Sequence, residues 1–302
     1  MKNHSQITKA VIAVAGYGTR FLPATKNQPK EMLPIIDRPI IHELVAEAVN
    51  SGIKDIILVT RFGQHIMEDY FDNNLELEHK LEETGKLDRL AKIQEVANMA
   101  NFIYVRQKKD LPYGNGTPLL AAKNLIDDNE SFVYMFGDDL TISNNGTPIA
   151  GQLMEKHLDQ KATATLAVQE VPKKEISRYG SVEYKTDADY KYEVKQIHEK
   201  LPAEEAPSTM AQFGRFVFSY DVVEAATKAD TGKDGELWIA DILNDLADAG
   251  KKVIAPPIEG EWLTTGDPLR YLKATFEFAM LREDLRKDLL PYLEEKVKEY
   301  AK

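Results

Sequence analysis

The sequence predicts an α/β protein built on a largely parallel sheet, on three observations. Apolar, β-branched runs recur at residues 10–15, 55–60, 102–106 and 131–136. Helical patterns separate them at 40–51, 64–71 and 118–126, and alternation of this βαβ kind brings strands together in parallel. A glycine-containing loop follows the first run at its carboxyl end, where open α/β sheets bind their ligands.

The elements can be taken in order. The first run ends in Ala15, and Ala15-Gly16-Tyr17-Gly18-Thr19-Arg20 turns away from it. Two glycines permit a tight turn and close approach of a ligand, and successive backbone N–H groups in such a turn make an anion-binding nest. Arg20, Lys26 and Lys30 put three cations within eleven residues, a set suited to a polyphosphate with a leaving group to stabilise. Two common phosphate motifs are excluded. Phe21 stands where a dinucleotide fingerprint needs its third glycine, and Thr19-Arg20 follows Gly18 where a Walker A loop needs Gly-Lys-Ser/Thr.

Residues 72–101 are polar and helical, with Leu75, Leu77, Leu81 and Leu87 on an apolar face; they read as an inserted helical arm. Strand candidates at 163–171, 180–184, 194–198 and 213–218 are separated by loops rich in Pro, Asp, Glu and Lys. They are expected to continue the same sheet, with 201–208 as a loop. Helices at 269–289 and 291–300 close the chain.

Composition bounds the function. A chain of 302 residues, 43% hydrophobic and 29% charged, is an ordinary globular protein. No apolar run approaches the roughly 18 residues of a membrane helix, and Met1 to Lys9 has no apolar segment of a secretory signal. Absence of cysteine excludes disulfides, thiolate nucleophiles and cysteine zinc sites. The net charge of −11 argues against nucleic acid and anionic membranes as partners. An anionic substrate is still permitted. Exposed charges are screened beyond about 8–10 Å, whereas a cation about 4 Å from a phosphate is worth about 4 kcal/mol at an effective dielectric of about 20.

The stretch Gly16-Tyr17-Gly18-Thr19-Arg20-Phe21-Leu22-Pro23-Ala24-Thr25-Lys26, followed by Pro29-Lys30-Glu31-Met32-Leu33-Pro34, closely resembles the signature of bacterial UTP–glucose-1-phosphate uridylyltransferases, in the sugar-phosphate nucleotidyltransferase superfamily. The resemblance runs from about residue 8 to about residue 280. It implies a Rossmann-like nucleotidyltransferase fold, with a mixed, mostly parallel sheet flanked by helices. It implies a domain over 1–268, with a nucleotide half at 8–160 and a sugar half at 161–268, and a C-terminal helical segment at 269–302. The implied reaction joins UTP and glucose 1-phosphate to give UDP-glucose and pyrophosphate, with magnesium (Mg2+), in a cytoplasmic homo-oligomer, dimer or tetramer.

The same resemblance implies residue roles. Ala15, Gly16, Gly18, Thr19, Arg20 and Lys30 would hold the nucleotide phosphates, with Arg20, Lys30 and Asp138 catalytic. Asp138, of Phe136-Gly137-Asp138-Asp139, matches the metal-binding aspartate and is preferred to Asp139; in isolation it would read as a turn aspartate. Gln107 matches the base position, where an amide offers both donor and acceptor to uracil. Gly114 and Gly116 match the glycines that pass under the base. Gly180, Glu199, Lys200, Gly214 and Glu236 match the sugar-phosphate site, Glu199 for hydroxyls and Lys200 for the phosphate. Arg215 reads equally well as a structural ion pair. The six histidines show no metal spacing.

Three departures stand out. Thr117-Pro118 replaces the His that often follows the second glycine; it is expected to start a helix, with Thr117 as N-cap and Pro118 at N1. Trp238 replaces a glutamine. In Leu263-Thr264-Thr265-Gly266-Asp267-Pro268, Thr264 stands where the second metal carboxylate belongs, and Asp267 reads as a helix N-cap. Alternatives therefore stay open: use of dTTP or another hexose 1-phosphate, a non-catalytic nucleotide-sugar-binding paralogue, or a glycosyltransferase. The intact Arg20/Lys30 loop disfavours the last.

Overall fold

The structure, a computed structural model, describes residues 7–300. His4, most of the N-terminal stretch read for a signal, and positions 301–302 of the C-terminal segment lie outside the described residues. In chain order the strands are β1 (Lys9–Ala13), β2 (Pro34–Ile35), β3 (Arg38–Pro39), β4 (Asp55–Thr60), β5 (Asn101–Arg106), β6 (Ser131–Phe136), β7 (Asp139–Ser143), β8 (Ala164–Glu170), β9 (Gly180–Tyr184), β10 (Val194–Glu199), β11 (Met210–Ser219), β12 (Val253–Ile254) and β13 (Gly260–Thr264). The helices are α1 (Ile40–Asn50), α2 (Ile66–Tyr70), α3 (Leu75–Glu83), α4 (Leu87–Ala97), α5 (Thr117–Ala122), α6 (Ile149–Gln160), α7 (Tyr220–Lys228), α8 (Ile239–Asp248), α9 (Pro268–Leu281) and α10 (Glu283–Tyr300).

Nine strands form one mixed sheet in the order β10-β9-β11-β6-β1-β4-β5, with β8 beside β11 and β12 beside β8. The four strands that carry the phosphate loop and its neighbours, β6, β1, β4 and β5, run parallel. They read as unbroken apolar runs because helices cover both faces. Val11, Ile57, Phe132 and Tyr134 pack with residues of α5, α7 and α8. Ile12, Ile56, Leu58 and Met135 pack with residues of α1, α2 and α6 on the other face. Strand β11 enters antiparallel between β6 and β9, so the strands expected to continue the sheet do so. A separate ribbon pairs β7 with β13 and sets Thr264 opposite Asp139.

Local expectations needed correction at three places. Gly116, not Thr117, holds the cap position of α5, and the Thr117 hydroxyl instead donates to the Pro112 carbonyl at 2.7 Å. The arm is two helices, but of the four leucines expected to form its apolar face Leu75, Leu77 and Leu87 are exposed and only Leu81 is buried. The C-terminal helices break at Arg282, where the backbone is extended and the guanidinium bonds Asp37 and Asp284. Pro291 lies inside α10. Asp267 does cap α9, accepting from the Arg270 N–H at 3.1 Å.

Candidate active site

The loop after β1 is folded back on itself. Gly18 has φ 62, and a Cβ there would press on Lys30 and Thr25 at 3.2 Å, so glycine is needed for both conformation and space. The Thr25 hydroxyl donates to the Gly18 carbonyl at 2.7 Å. This brings Lys30 under the loop, where its ammonium donates to Asp138 Oδ2 at 2.5 Å. The two side chains are 19% and 24% exposed, so the pair is shielded yet open to a ligand. Burial opposes ionisation of Asp138, but the charges of Lys30 and Arg20 outweigh it and hold the carboxyl below its ordinary range. Burial likewise opposes the charge on Lys30, and Asp138 and Glu31 raise it above the usual lysine value.

The turn after β13 is fastened to the same place. The Thr265 N–H and hydroxyl both donate to the Asp138 carbonyl, at 2.6 and 2.9 Å. Arg20 Nη1 donates to the Gly266 carbonyl at 3.1 Å. The Thr264 hydroxyl oxygen accepts from the Gly266 N–H at 3.3 Å. A neutral hydroxyl therefore occupies the position expected to carry a second carboxylate; Thr264 pairs with Asp139 across the ribbon and does not line the Asp138 cleft.

A cleft of about 370 Å³ opens over these groups. Eight residues chosen from the sequence line it: Ala15, Gly16, Arg20, Lys30, Gln107, Gly114, Asp138 and Glu236. Gly18 and Thr19 belong to the loop without lining the cleft, and exposed Lys26, counted among the loop cations, does not line it either. Gly116 lies beneath, donating its N–H to the Leu237 carbonyl at 2.8 Å. Further bonds zip residues 113–116 to 236–239: Leu237 N–H to the Tyr113 carbonyl at 2.7 Å, and Ile239 N–H to Asn115 Oδ1 at 2.8 Å. Gly114 has φ +135, and any Cβ would collide with the Leu237 backbone.

The remaining group gathers around β9, β10 and β11. Gly180 and Glu199 face each other across the β9–β10 pair. The Gln212 amide donates to Glu199, and a Cβ on Gly180 would meet both side chains. Burial raises the Glu199 carboxyl, while Lys200 and Gln212 pull it back. Lys200 Nζ lies 4.7 Å from the centre of the Trp238 ring, and Trp238 lines the cleft. Gly214 donates its N–H to Asp139 Oδ2 at 2.8 Å and leaves no room for a Cβ against Phe136, itself a cleft residue.

Burial separates Arg215 and Asp139 from the residues that face the cleft. Arg215 is fully buried and forks onto Glu47 at 2.8 to 3.1 Å, so it ties β11 to α1. Asp139 is committed to Gly214 and to Trp262 Nε1, 2.7 Å away; burial and Asp138 push its carboxyl up to about 6. Asp138 alone of the two lines the cleft.

Sequence reasoning assigned no role to Glu31. It is 1% exposed, lines the cleft, and its Oε2 has no hydrogen-bond partner among the described residues. Burial pushes its carboxyl up to about 8. Its place next to Lys30 in the motif was visible; its burial was not, because a glutamate in a short turn is ordinarily solvated.

Such a cleft, with Arg20, Lys30 and Asp138 gathered at the carboxyl ends of parallel strands, suits nucleotide phosphates. The nucleotidyl transferase family model matches residues 9–279, and the chain belongs to that family. More particular relatives cover nearly the whole chain. It is 40% identical over 289 residues to the UTP–glucose-1-phosphate uridylyltransferase of Bacillus subtilis (strain 168), spanning 96% of this chain and 97% of that protein. It is 39% identical over 297 residues to the UTP–glucose-1-phosphate uridylyltransferase YngB of the same organism, covering 98% of each chain. Among solved structures, the UTP-bound enzyme from Acinetobacter baumannii superposes with a TM-score of 0.85 at 32% identity, covering 96% of this chain and 99% of that one. A UDP-glucose pyrophosphorylase complexed with UDP-glucose gives 0.81 at 33% identity, covering 92% and 100%.

Proposed function

We propose that this chain transfers a uridylyl group from UTP to glucose 1-phosphate, releasing pyrophosphate. The observation that carries the reading is the Lys30–Asp138 pair in a cleft also lined by Gln107, Gly114, Glu236 and Trp238. Full-length similarity to proteins named for this activity supports it.

In this reading uracil lies over Gly114 with its edge to Gln107, and the triphosphate follows the loop of Gly16, Gly18, Thr19 and Arg20. The α-phosphorus then sits above Lys30 and Asp138. Glu199 and Glu236 take sugar hydroxyls beside Gly180 and Gly214, and Lys200 takes the sugar phosphate. A phosphate oxygen of the sugar attacks the α-phosphorus as the bond to pyrophosphate breaks. The nucleophile is already anionic, so no base is needed. Catalysis is alignment of the two anions and stabilisation of charge on the departing pyrophosphate by Arg20, Lys30 and the loop N–H groups.

Asp138 suits magnesium: it is held ionised and faces the cleft. Among the described residues no group of three His, Cys, Asp or Glu could form a metal cage. The ion would rest on this one carboxylate and substrate phosphates, as Mg2+ commonly does. Bound there, it would neutralise phosphate charge.

The nucleotide would fall to residues 8–160 and the sugar to 161–268. We take the enzyme to work in the cytoplasm, with UTP, as a homo-oligomer; α9 and α10 leave apolar side chains such as Leu269, Leu272, Leu290 and Val297 exposed, which favours self-association. No helix among the described residues is long and apolar enough to cross a membrane. Pyrophosphate release measured across UTP, dTTP and CTP with glucose, galactose and mannose 1-phosphates tests the reading. UTP with glucose 1-phosphate should be the fastest pair, and a faster dTTP reaction would replace it.

A further inference from the structure

We propose that Trp238 is a positioning residue for the sugar-phosphate site: its indole face holds the Lys200 ammonium in place and yields it to the incoming phosphate. This stands on the sugar-phosphate role of Lys200 proposed above. Lys200 follows β10 with φ 51, a left-handed conformation that residues with a side chain seldom adopt. Its N–H donates to the Tyr179 carbonyl at 3.0 Å, which fixes the backbone there. The start of the side chain is therefore set. Its far end lies 4.7 Å from the Trp238 ring centre, inside the roughly 6 Å over which a cation and an indole attract. Among the described residues the ammonium has no carboxylate within ion-pair distance; Glu199 feels its charge only at longer range, and the indole lies against it.

The choice of an aromatic partner has a consequence. A carboxylate would neutralise Lys200 and would have to be displaced by the substrate. An aromatic face holds the cation without cancelling its charge, and a phosphate oxygen outbids it through a charge-assisted hydrogen bond. Trp238 is itself well anchored. Its neighbours Leu237 and Ile239 are bonded to Tyr113, Asn115 and Gly116 of the loop proposed for the base. The same segment thus links the nucleotide loop to the cation proposed for the sugar phosphate.

Steady-state kinetics and intrinsic fluorescence of the full chain test this. Trp238→Gln should raise the KM for glucose 1-phosphate by about five- to tenfold, in line with the strength of a cation–indole contact. The KM for UTP should move less than about twofold. Trp238→Phe, which keeps an aromatic face, should recover most of the loss. Glucose 1-phosphate should change the tryptophan emission of the wild type, and Lys200→Met or Trp238→Phe should abolish that change. If Trp238→Gln fails to fold, the emission titrations on the other two variants decide. An unchanged KM for glucose 1-phosphate, an equal rise in both KM values, no recovery with phenylalanine, or an emission change surviving in Lys200→Met overturns the proposal. A Lys200→Ala variant with normal KM for glucose 1-phosphate would instead remove the sugar-phosphate role of Lys200 itself.

Discussion

Replacing Lys30 by methionine removes a charge from two places at once, and the two effects can be separated. The ammonium lies 2.5 Å from Asp138 Oδ2, with both side chains mostly shielded. Stripping one partner from a fully buried pair costs about 3–5 kcal/mol. Asp138 keeps 24% of its surface and can take up a proton, so a stability loss of about 1–3 kcal/mol is expected here. The catalytic loss should be larger. One charged donor removed from a developing negative charge is worth about 10²–10³ in kcat. Asp138→Asn in the Lys30→Met background removes the stranded carboxylate and should restore most of the stability while leaving the enzyme inactive. Urea midpoints at constant m-value read the first effect, and pyrophosphate release at saturating substrate reads the second. A folded Lys30→Met protein with kcat within threefold of wild type would refute the placement of the polyphosphate. A double variant no more stable than Lys30→Met would refute the stranded-carboxylate account.

Other expectations follow from the same geometry. Gln107→Ala should narrow the preference for UTP over CTP, since an unpaired polar edge no longer penalises the wrong base; an unchanged ratio of kcat/KM values would clear Gln107 of base reading. Glu31 is pushed from 4.5 to about 8 on folding, mainly by burial, so the folded state holds the extra proton between those values and wild-type stability should fall as pH rises through that window. Glu31→Gln cannot ionise and should gain on the order of 4 kcal/mol relative to wild type at pH 9 but little at pH 4; parallel urea-midpoint curves would contradict this. Thr264→Asp would set a second carboxylate near Asp138, and its melting temperature should drop in EDTA and recover with Mg2+ more than that of wild type. Equal responses of the two proteins to Mg2+ would mean that position 264 does not face the ion.

What the sequence made legible was contiguous. Gly16, Gly18, Arg20 and Lys30 share one loop after one strand, and Asp138 and Gln107 close two others, so each could be placed from a single βα unit. Long-range pairing was not legible in this way. Arg215 could be resolved only by Glu47, 168 residues away. The helix break at Arg282 depends on Asp37, across 245 residues. The β7–β13 ribbon, which sets Thr264 opposite Asp139, joins two short strands that carry no strong pattern of their own. Burial of Glu31 is a property of the packed loop and not of its residue type.

The most direct test of the account is the fate of the α-phosphorus of UTP. ³¹P NMR of the purified chain with UTP, glucose 1-phosphate and Mg2+ should follow conversion to the two diphosphate resonances of UDP-glucose with stoichiometric pyrophosphate, and Asp138→Asn should abolish it. Wild-type protein that binds UTP yet forms no UDP-sugar, or an Asp138→Asn variant that still forms UDP-glucose at the wild-type rate, would contradict it.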